Sequence, residues 1–396
     1  MSAPRVALIR PMVARDRNEE HRASTPLELL FDLCFVVAVA QAALRLHHGI
    51  AEGHTGSTLL AYAMVFFAIW WAWVNFTWFA SAYDTDDVPY RLLTMLQIAG
   101  VLVVAAGVPT AFEHHDFVAM TFGYVIMRVA MIVQWIRAAR GDPAGRPAAI
   151  RYATGIGVVQ VCWLLRLLLP APWSGIVFAV LVVGELSVPL WAELGGRRTS
   201  WHPEHINERY GLFTLIVLGE CVSAATVAIQ SATSEGGLSG RLILLAAGGL
   251  LLVIGVWWSY FKHEATPALR ESFGMTLVWA YSHYLIFSTV AALGAGLEVA
   301  IETSEHATHV SATTAGLAVG IPVAAYLLVL GRLHSFLGTE TRRRQGLVIG
   351  TALLVLVAVL LAPVAVWATV LVMGAIVCGS VGVFLVGQHR GLRGAA

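Results

Sequence analysis

Thr58 to Ala82 reads TLLAYAMVFFAIWWAWVNFTWFASA, and its 25 residues include no Asp, Glu, Lys or Arg. An α-helix rises about 1.5 Å per residue and the hydrocarbon layer of a bilayer is about 30 Å thick, so roughly 20 apolar residues span it. This stretch therefore predicts a transmembrane helix over 58–82. Reading outward in both directions, similar segments recur at 26–46, 90–111, 117–138, 150–169, 173–192, 209–230, 240–261, 274–300, 311–333, 346–363 and 365–387. The breaks between them carry turn or charge signals: Asp84-Thr85-Asp86-Asp87, Gly141-Asp142-Pro143, Pro170-Ala171-Pro172, Gly195-Gly196-Arg197-Arg198, Arg342-Arg343-Arg344 and the region of Pro363. The expected fold is all-α: a polytopic bundle of about 12 transmembrane helices.

Composition agrees. Of the 396 residues, 58% are hydrophobic and 12% charged. Soluble domains carry roughly 25% charged residues, so too few are present here to cover a water-facing surface. The net charge of +1 gives no electrostatic reason to expect nucleic acid as a partner; the bilayer is the expected one. Cys34, Cys162, Cys221 and Cys378 all lie in apolar runs and read as small packing residues. No cofactor is indicated.

The basic residues orient the chain. With the N-terminus inside, 21 of the 25 Lys and Arg residues fall on the inner side, Arg45 and Arg241 fall outside, and Arg128 and Arg166 lie within helices. The positive-inside rule then places both ends in the cytoplasm. The segments are a basic N-terminal tail (1–25), expected to be flexible, a first set of six helices (26–192), a cytoplasmic linker (193–208), a second set of six (209–387) and a short C-terminal tail (388–396). The two sets look duplicated. Trp70-Trp71-Ala72-Trp73 pairs with Trp257-Trp258-Ser259-Tyr260, Val104-Ala105-Ala106 with Val290-Ala291-Ala292, and Glu28 with Glu208. Six helices per half make the repeats parallel, related by an axis along the membrane normal. The alternative is chance similarity among apolar helices.

Ionisable side chains in hydrocarbon are costly, about 2.5–3.5 kcal/mol at a helix centre, and need a partner or a wet cavity. Glu28 and Asp32 are four apart and share one helical face. Like charges at this spacing repel, so either one holds a proton or a cation sits between them. Thr25 and Glu28 also form a capping-box pattern, which accounts for Glu28 but not Asp32. Glu185 and Glu220 are two further deep carboxylates. Arg128 and Arg166 are the buried cations available to them, and a plain ion pair is the structural alternative to a functional role. His283 titrates near neutral pH if wet, and is otherwise a hydrogen-bonded core residue. His205, Glu208, Arg209 and Gly211 mark an entrance to the seventh helix. His202, His205 and Glu208 offer a metal site as an alternative to a helix cap with a surface salt bridge.

Two segments, Glu28-Leu29-Leu30-Phe31-Asp32-Leu33 and His205-Ile206-Asn207-Glu208-Arg209-Tyr210-Gly211-Leu212-Phe213-Thr214 with the later Gly219-Glu220, resemble the bacterial low temperature requirement A family. Leu30 stands where that family usually has Phe. The resemblance implies a polytopic protein of the bacterial cytoplasmic membrane and supplies no biochemical activity. Three functions stay open. The first is a transporter or channel-like passage for an ion or small solute, with Glu28, Asp32, Glu185, Glu220 and His283 along the path. The second is a membrane-embedded enzyme acting on a lipid or lipid-linked substrate, although no nucleophile motif, HExxH or phosphate-cradling loop supports it. The third is a non-catalytic factor that supports growth in the cold.

Overall fold

The computed structural model describes residues 8–20, 22–170, 173–194, 197–234, 239–263, 265–305, 309–339 and 342–393. The breaks expected at Ala171-Pro172 and at Gly195-Gly196 lie outside the described residues. Those residues form thirteen α-helices and one 3₁₀ turn, with no strand among them. The helices are α1 (Pro26–Ala51), α2 (Thr55–Tyr83), α3 (Val88–Glu113), α4 (Val118–Gly141), α5 (Arg146–Arg166), α6 (Trp173–Glu193), α7 (Pro203–Ser234), α8 (Gly240–Phe261), α9 (Thr266–Glu271), α10 (Phe273–Ser304), α11 (Ala312–Phe336), α12 (Arg342–Ala358) and α13 (Val366–Arg393). Twelve stretches among the described residues are long and apolar enough to cross a bilayer; α9 continues the one that begins with α8, and the 3₁₀ turn Val359–Leu361 completes the one that begins with α12. In hydrocarbon every backbone N–H and C=O must be satisfied within the chain, and an uninterrupted helix does that locally. The exposed faces carry side chains such as Leu102, Val158, Val183 and Leu353, which suit lipid.

The chain divides into two compact units: Met1–Gln41 with Phe67–Tyr210, and Ala42–Phe66 with Gly211–Ala396. In the first, α3 packs on α4, α4 on α5 and α5 on α6. In the second, α10 packs on α11, α11 on α12, α12 on α13 and α8 on α13. Close approach there depends on glycine: a Cβ on Gly296 of α10 would sit 2.1 Å from the Ala318 carbonyl oxygen of α11.

Two local features depart from the sequence reading. Helix α7 starts at Pro203, six residues earlier than expected. Proline suits a first helical turn because its missing N–H has no intrahelical partner there. His205 and Glu208 are therefore on the helix rather than in a linker before it. The N-terminal segment, over its described part, is held against the first unit rather than loose. Met12 is 1% exposed. The Arg10 amide donates to Asp87 Oδ2 at 2.9 Å, and the Arg15 amide to the Ala82 carbonyl at 2.9 Å. Arg15 Nη1 also lies 3.6 Å from Asp84 Oδ2. Asp87 in turn caps α3, accepting from the Tyr90 amide at 2.9 Å and from Arg137 Nη2 at 2.6 Å.

Candidate functional site

Helix α1 opens with a reciprocal cap. The Thr25 amide donates to Glu28 Oε2 at 2.7 Å, and the Glu28 amide to Thr25 Oγ1 at 3.3 Å. The other oxygen of Glu28 faces bases. Within the first unit, α1 presents Glu28 and Asp32 one turn apart, and α7 presents His205 and Arg209 one turn apart. His205 Nε2 lies 3.1 Å from Glu28 Oε1, and Arg209 Nη1 lies 3.1 Å from the same oxygen. Arg209 Nε donates to Asp32 Oδ2 at 3.0 Å, and its Nη2 donates to Asp32 Oδ1. Trp73 Nε1 of α2 donates to that Oδ1 at 2.7 Å. A guanidinium thus sits between the two acids, where their like charge had left either a proton or a cation open. All four of these ionisable residues are at most 1% exposed. Arg22 adds a third base, with Nη2 3.7 Å from Glu28 Oε1 and a hydrogen bond at 2.9 Å to the Ala80 carbonyl. Tyr90 OH, Glu28 Oε1 and both ring nitrogens of His205 are buried without a well-aligned hydrogen-bond partner.

Glu185 of α6 is also locked in the first unit. Its Oε2 accepts from Trp71 Nε1 at 2.8 Å and from Arg128 Nη2 at 3.1 Å, and its Oε1 accepts from Trp163 Nε1 at 3.1 Å. Arg128 lies over the Tyr124 ring. Among the described residues no carboxylate pairs with Arg166. It donates to the Ser174 carbonyl at 2.8 Å and rests among the rings of Phe117, Trp163 and Phe178.

The metal alternative finds its three residues turned to separate partners. The His202 ring meets the Glu19 carbonyl at 2.8 Å, His205 meets Glu28, and Glu208 accepts from the Ser24 amide at 3.3 Å. Among the described residues no group of three His, Cys, Asp or Glu side chains is placed to hold a metal ion.

In the second unit, Gly211 meets Phe261: a Cβ there would sit 3.2 Å from the ring. His283 is 1% exposed and hydrogen-bonded on both sides, to the Trp279 carbonyl at 2.7 Å and to Tyr260 OH at 2.9 Å. A carbonyl only accepts, so Nδ1 donates to it, and the tyrosine hydroxyl shares the second hydrogen bond with Nε2. Glu220 differs from the other deep acids. It is half-buried in the middle of α7 and makes no hydrogen bond or ion pair to a described residue. Its Cβ packs where Gly294 of α10 leaves room, since a Cβ on that glycine would lie 2.9 Å away. Glu298 and Glu302 follow on α10 at one and two turns. Glu298 lies within the electrostatic reach of both Glu220 and Glu302. His47 of α1 stands between the last two, Nδ1 3.2 Å from Glu298 Oε2 and Nε2 3.0 Å from Glu302 Oε1, and is 5% exposed. Sequence reading missed Glu298, Glu302 and His47 because they lie near helix ends, where charge is unremarkable. The i, i+4 spacing of the two glutamates was the available signal.

Twelve membrane-length segments among the described residues, with acid–base side-chain networks buried among them, define a polytopic integral membrane protein. Residues 23–382 match the bacterial low temperature requirement A protein family, and the chain belongs to that family. A protein of Rhizobium meliloti (strain 1021), described as uncharacterized, is 29% identical over 256 residues, which cover 62% of this chain and 60% of that protein's length. No solved structure matches the chain.

Proposed function

We propose that the chain provides transporter or channel-like passage for an ion or small solute, and that the acids handling it are Glu220 with Glu298 and Glu302. The observation that carries this reading is the absence of a basic neutraliser: among the described residues no Lys or Arg pairs with any of the three, and His47 is the one ionisable base beside them. A carboxylate at a helix centre in hydrocarbon is retained against a cost of roughly 2.5–3.5 kcal/mol, so Glu220, in the middle of α7 without a countercharge, favours a site that exchanges protons or cations, which Glu298 and Glu302 extend toward the end of α10. In this reading Asp32 and Glu185, neutralised by Arg209 and Arg128, position helices and lie off the path. The duplicated 6+6 arrangement belongs to the same proposal. It is supported by the run of neighbours α3–α4–α5–α6, which recurs as α10–α11–α12–α13. Passage in a two-repeat bundle has precedent in transporter architecture. The cytoplasmic placement of both termini, from the distribution of Lys and Arg, is proposed with it.

Proteoliposomes carrying a pH-sensitive dye and a panel of cations test the reading. Wild-type protein is expected to dissipate an imposed gradient, and Glu220→Gln with Glu298→Gln to lower the rate at least about ten-fold, which is the effect of roughly 1.4 kcal/mol on a barrier. Identical rates in wild type, variant and empty vesicles across the panel would remove the proposal. Rescue of cold growth by the inactive variant would favour the non-catalytic factor instead.

A further inference from the structure

In the second unit, basic side chains from two helices converge on one aromatic ring. Phe384 of α13 is 6% exposed. Lys262, just after α8, places Nζ 4.3 Å from the ring centre, and Arg344, in the first turn of α12, places Cζ 4.5 Å from it. His263 meets the ring edge-on at 5.5 Å and packs on His334 of α11 at 4.6 Å. Arg332, Arg342 and Arg343, all exposed, lie at the adjoining helix ends. Among the described residues no carboxylate pairs with Arg332, Arg342, Arg343 or Arg344.

Like charges repel, and a ring face attracts a cation without using the several N–H donors of a guanidinium. An anion joining Arg344 and its neighbours would use those donors and offset the repulsion. We propose that this cluster binds the phosphate of an anionic phospholipid headgroup, with Arg344 and Lys262 as its central contacts. The neighbouring apolar surface selects a lipid over a free phosphate ion. Phe261, Phe336 and Val386 are 40%, 52% and 54% exposed, and they flank Lys262, Arg332 and Phe384 in the chain. A lipid uses both parts, its phosphate on the bases and its acyl chains on the exposed apolar residues, and basic clusters at transmembrane helix ends recognise anionic lipids in this way.

The site is independent of any passage function and is read by lipid retention. Purified full-length protein is equilibrated with equimolar phosphatidylglycerol and phosphatidylcholine, and the lipids it keeps are counted by native mass spectrometry. Wild type is expected to favour phosphatidylglycerol, and Arg344→Gln to cut that preference about five-fold, the effect of one basic contact near a membrane surface. Lys262→Gln should add to it. Arg91→Gln, in the first unit, should leave the preference intact. If the central variants fold poorly, the Arg342→Gln/Arg343→Gln pair, exposed at the start of α12, gives the same reading with a smaller loss. No preference in wild type, or an unchanged preference in both sets of variants, overturns the proposal. So does displacement of the lipid by millimolar inorganic phosphate, which would make the site one for the free ion.

Discussion

The guanidinium of Arg209 lies side-on against the carboxylate of Asp32, Nε to Oδ2 at 3.0 Å with Nη2 on Oδ1, joining two helices whose paired residues are 177 positions apart. Its Nη1 reaches Glu28 as well. One cation therefore serves two buried acids.

Removing one partner of a buried pair typically costs about 3–5 kcal/mol, because the other charge is left in low dielectric. Arg209→Met strands Asp32 and leaves Glu28 with His205 and Arg22 alone, whereas Asp32→Asn leaves Arg209 with Glu28 and still offers Trp73 an acceptor. We expect Arg209→Met to lower the melting temperature in detergent more than Asp32→Asn. The double variant should recover part of the loss. Equal effects from the two single variants would contradict the shared-cation geometry.

Asp84 lies outside the spans, at the end of α2, and burial raises its carboxyl to about 6, helped by the Glu28 charge and opposed by Arg22 and Arg15. An unfolded aspartate titrates near about 3.9. Between those values the folded chain holds a proton that the unfolded chain has released. The resulting stability is fully present below about pH 4 and is lost as pH rises through about 6. Asp84→Asn should therefore be more stable than wild type at pH 8, by roughly 1–3 kcal/mol, and lose that advantage at pH 4. Asp87 has the opposite sign. Its burial is outweighed by donors from Arg10, Tyr90 and Arg137, which hold it below the ordinary range, so its contribution is lost in acid. A melting-temperature difference between Asp84→Asn and wild type that does not change with pH would rule out a raised Asp84.

A methyl group at Gly296 has no space beside the Ala318 carbonyl, while one at Gly219 meets nothing within 4 Å. Gly296→Ala should cost about 1–3 kcal/mol through overpacking of α10 on α11. Gly219→Ala should be neutral or slightly stabilising, since alanine is the better helix former. Melting of the two variants side by side checks the ordering.

The helices were legible in the chain because a bilayer imposes a local rule. Each segment must be long, apolar and self-satisfied in its hydrogen bonds, and 58–82 meets that rule without reference to any other residue. The Thr25–Glu28 cap and the i, i+4 pairing of Glu28 with Asp32 were legible for the same reason, since a helix relates residues four apart whatever surrounds it. That Glu28 and Asp32 need either a proton or a cation between them could be deduced from charge alone.

Which side chain met that need could not. That Arg209 serves both acids, that Arg128 neutralises Glu185, that Glu220 is left without a base, and that His47 stands between Glu298 and Glu302 all depend on how each helix is rotated about its own axis and which neighbours it packs against. Apolar faces made from the same few residue types constrain that rotation weakly. The packing of close-approach glycines and the burial of ion pairs decide it, and both act between residues far apart in the chain.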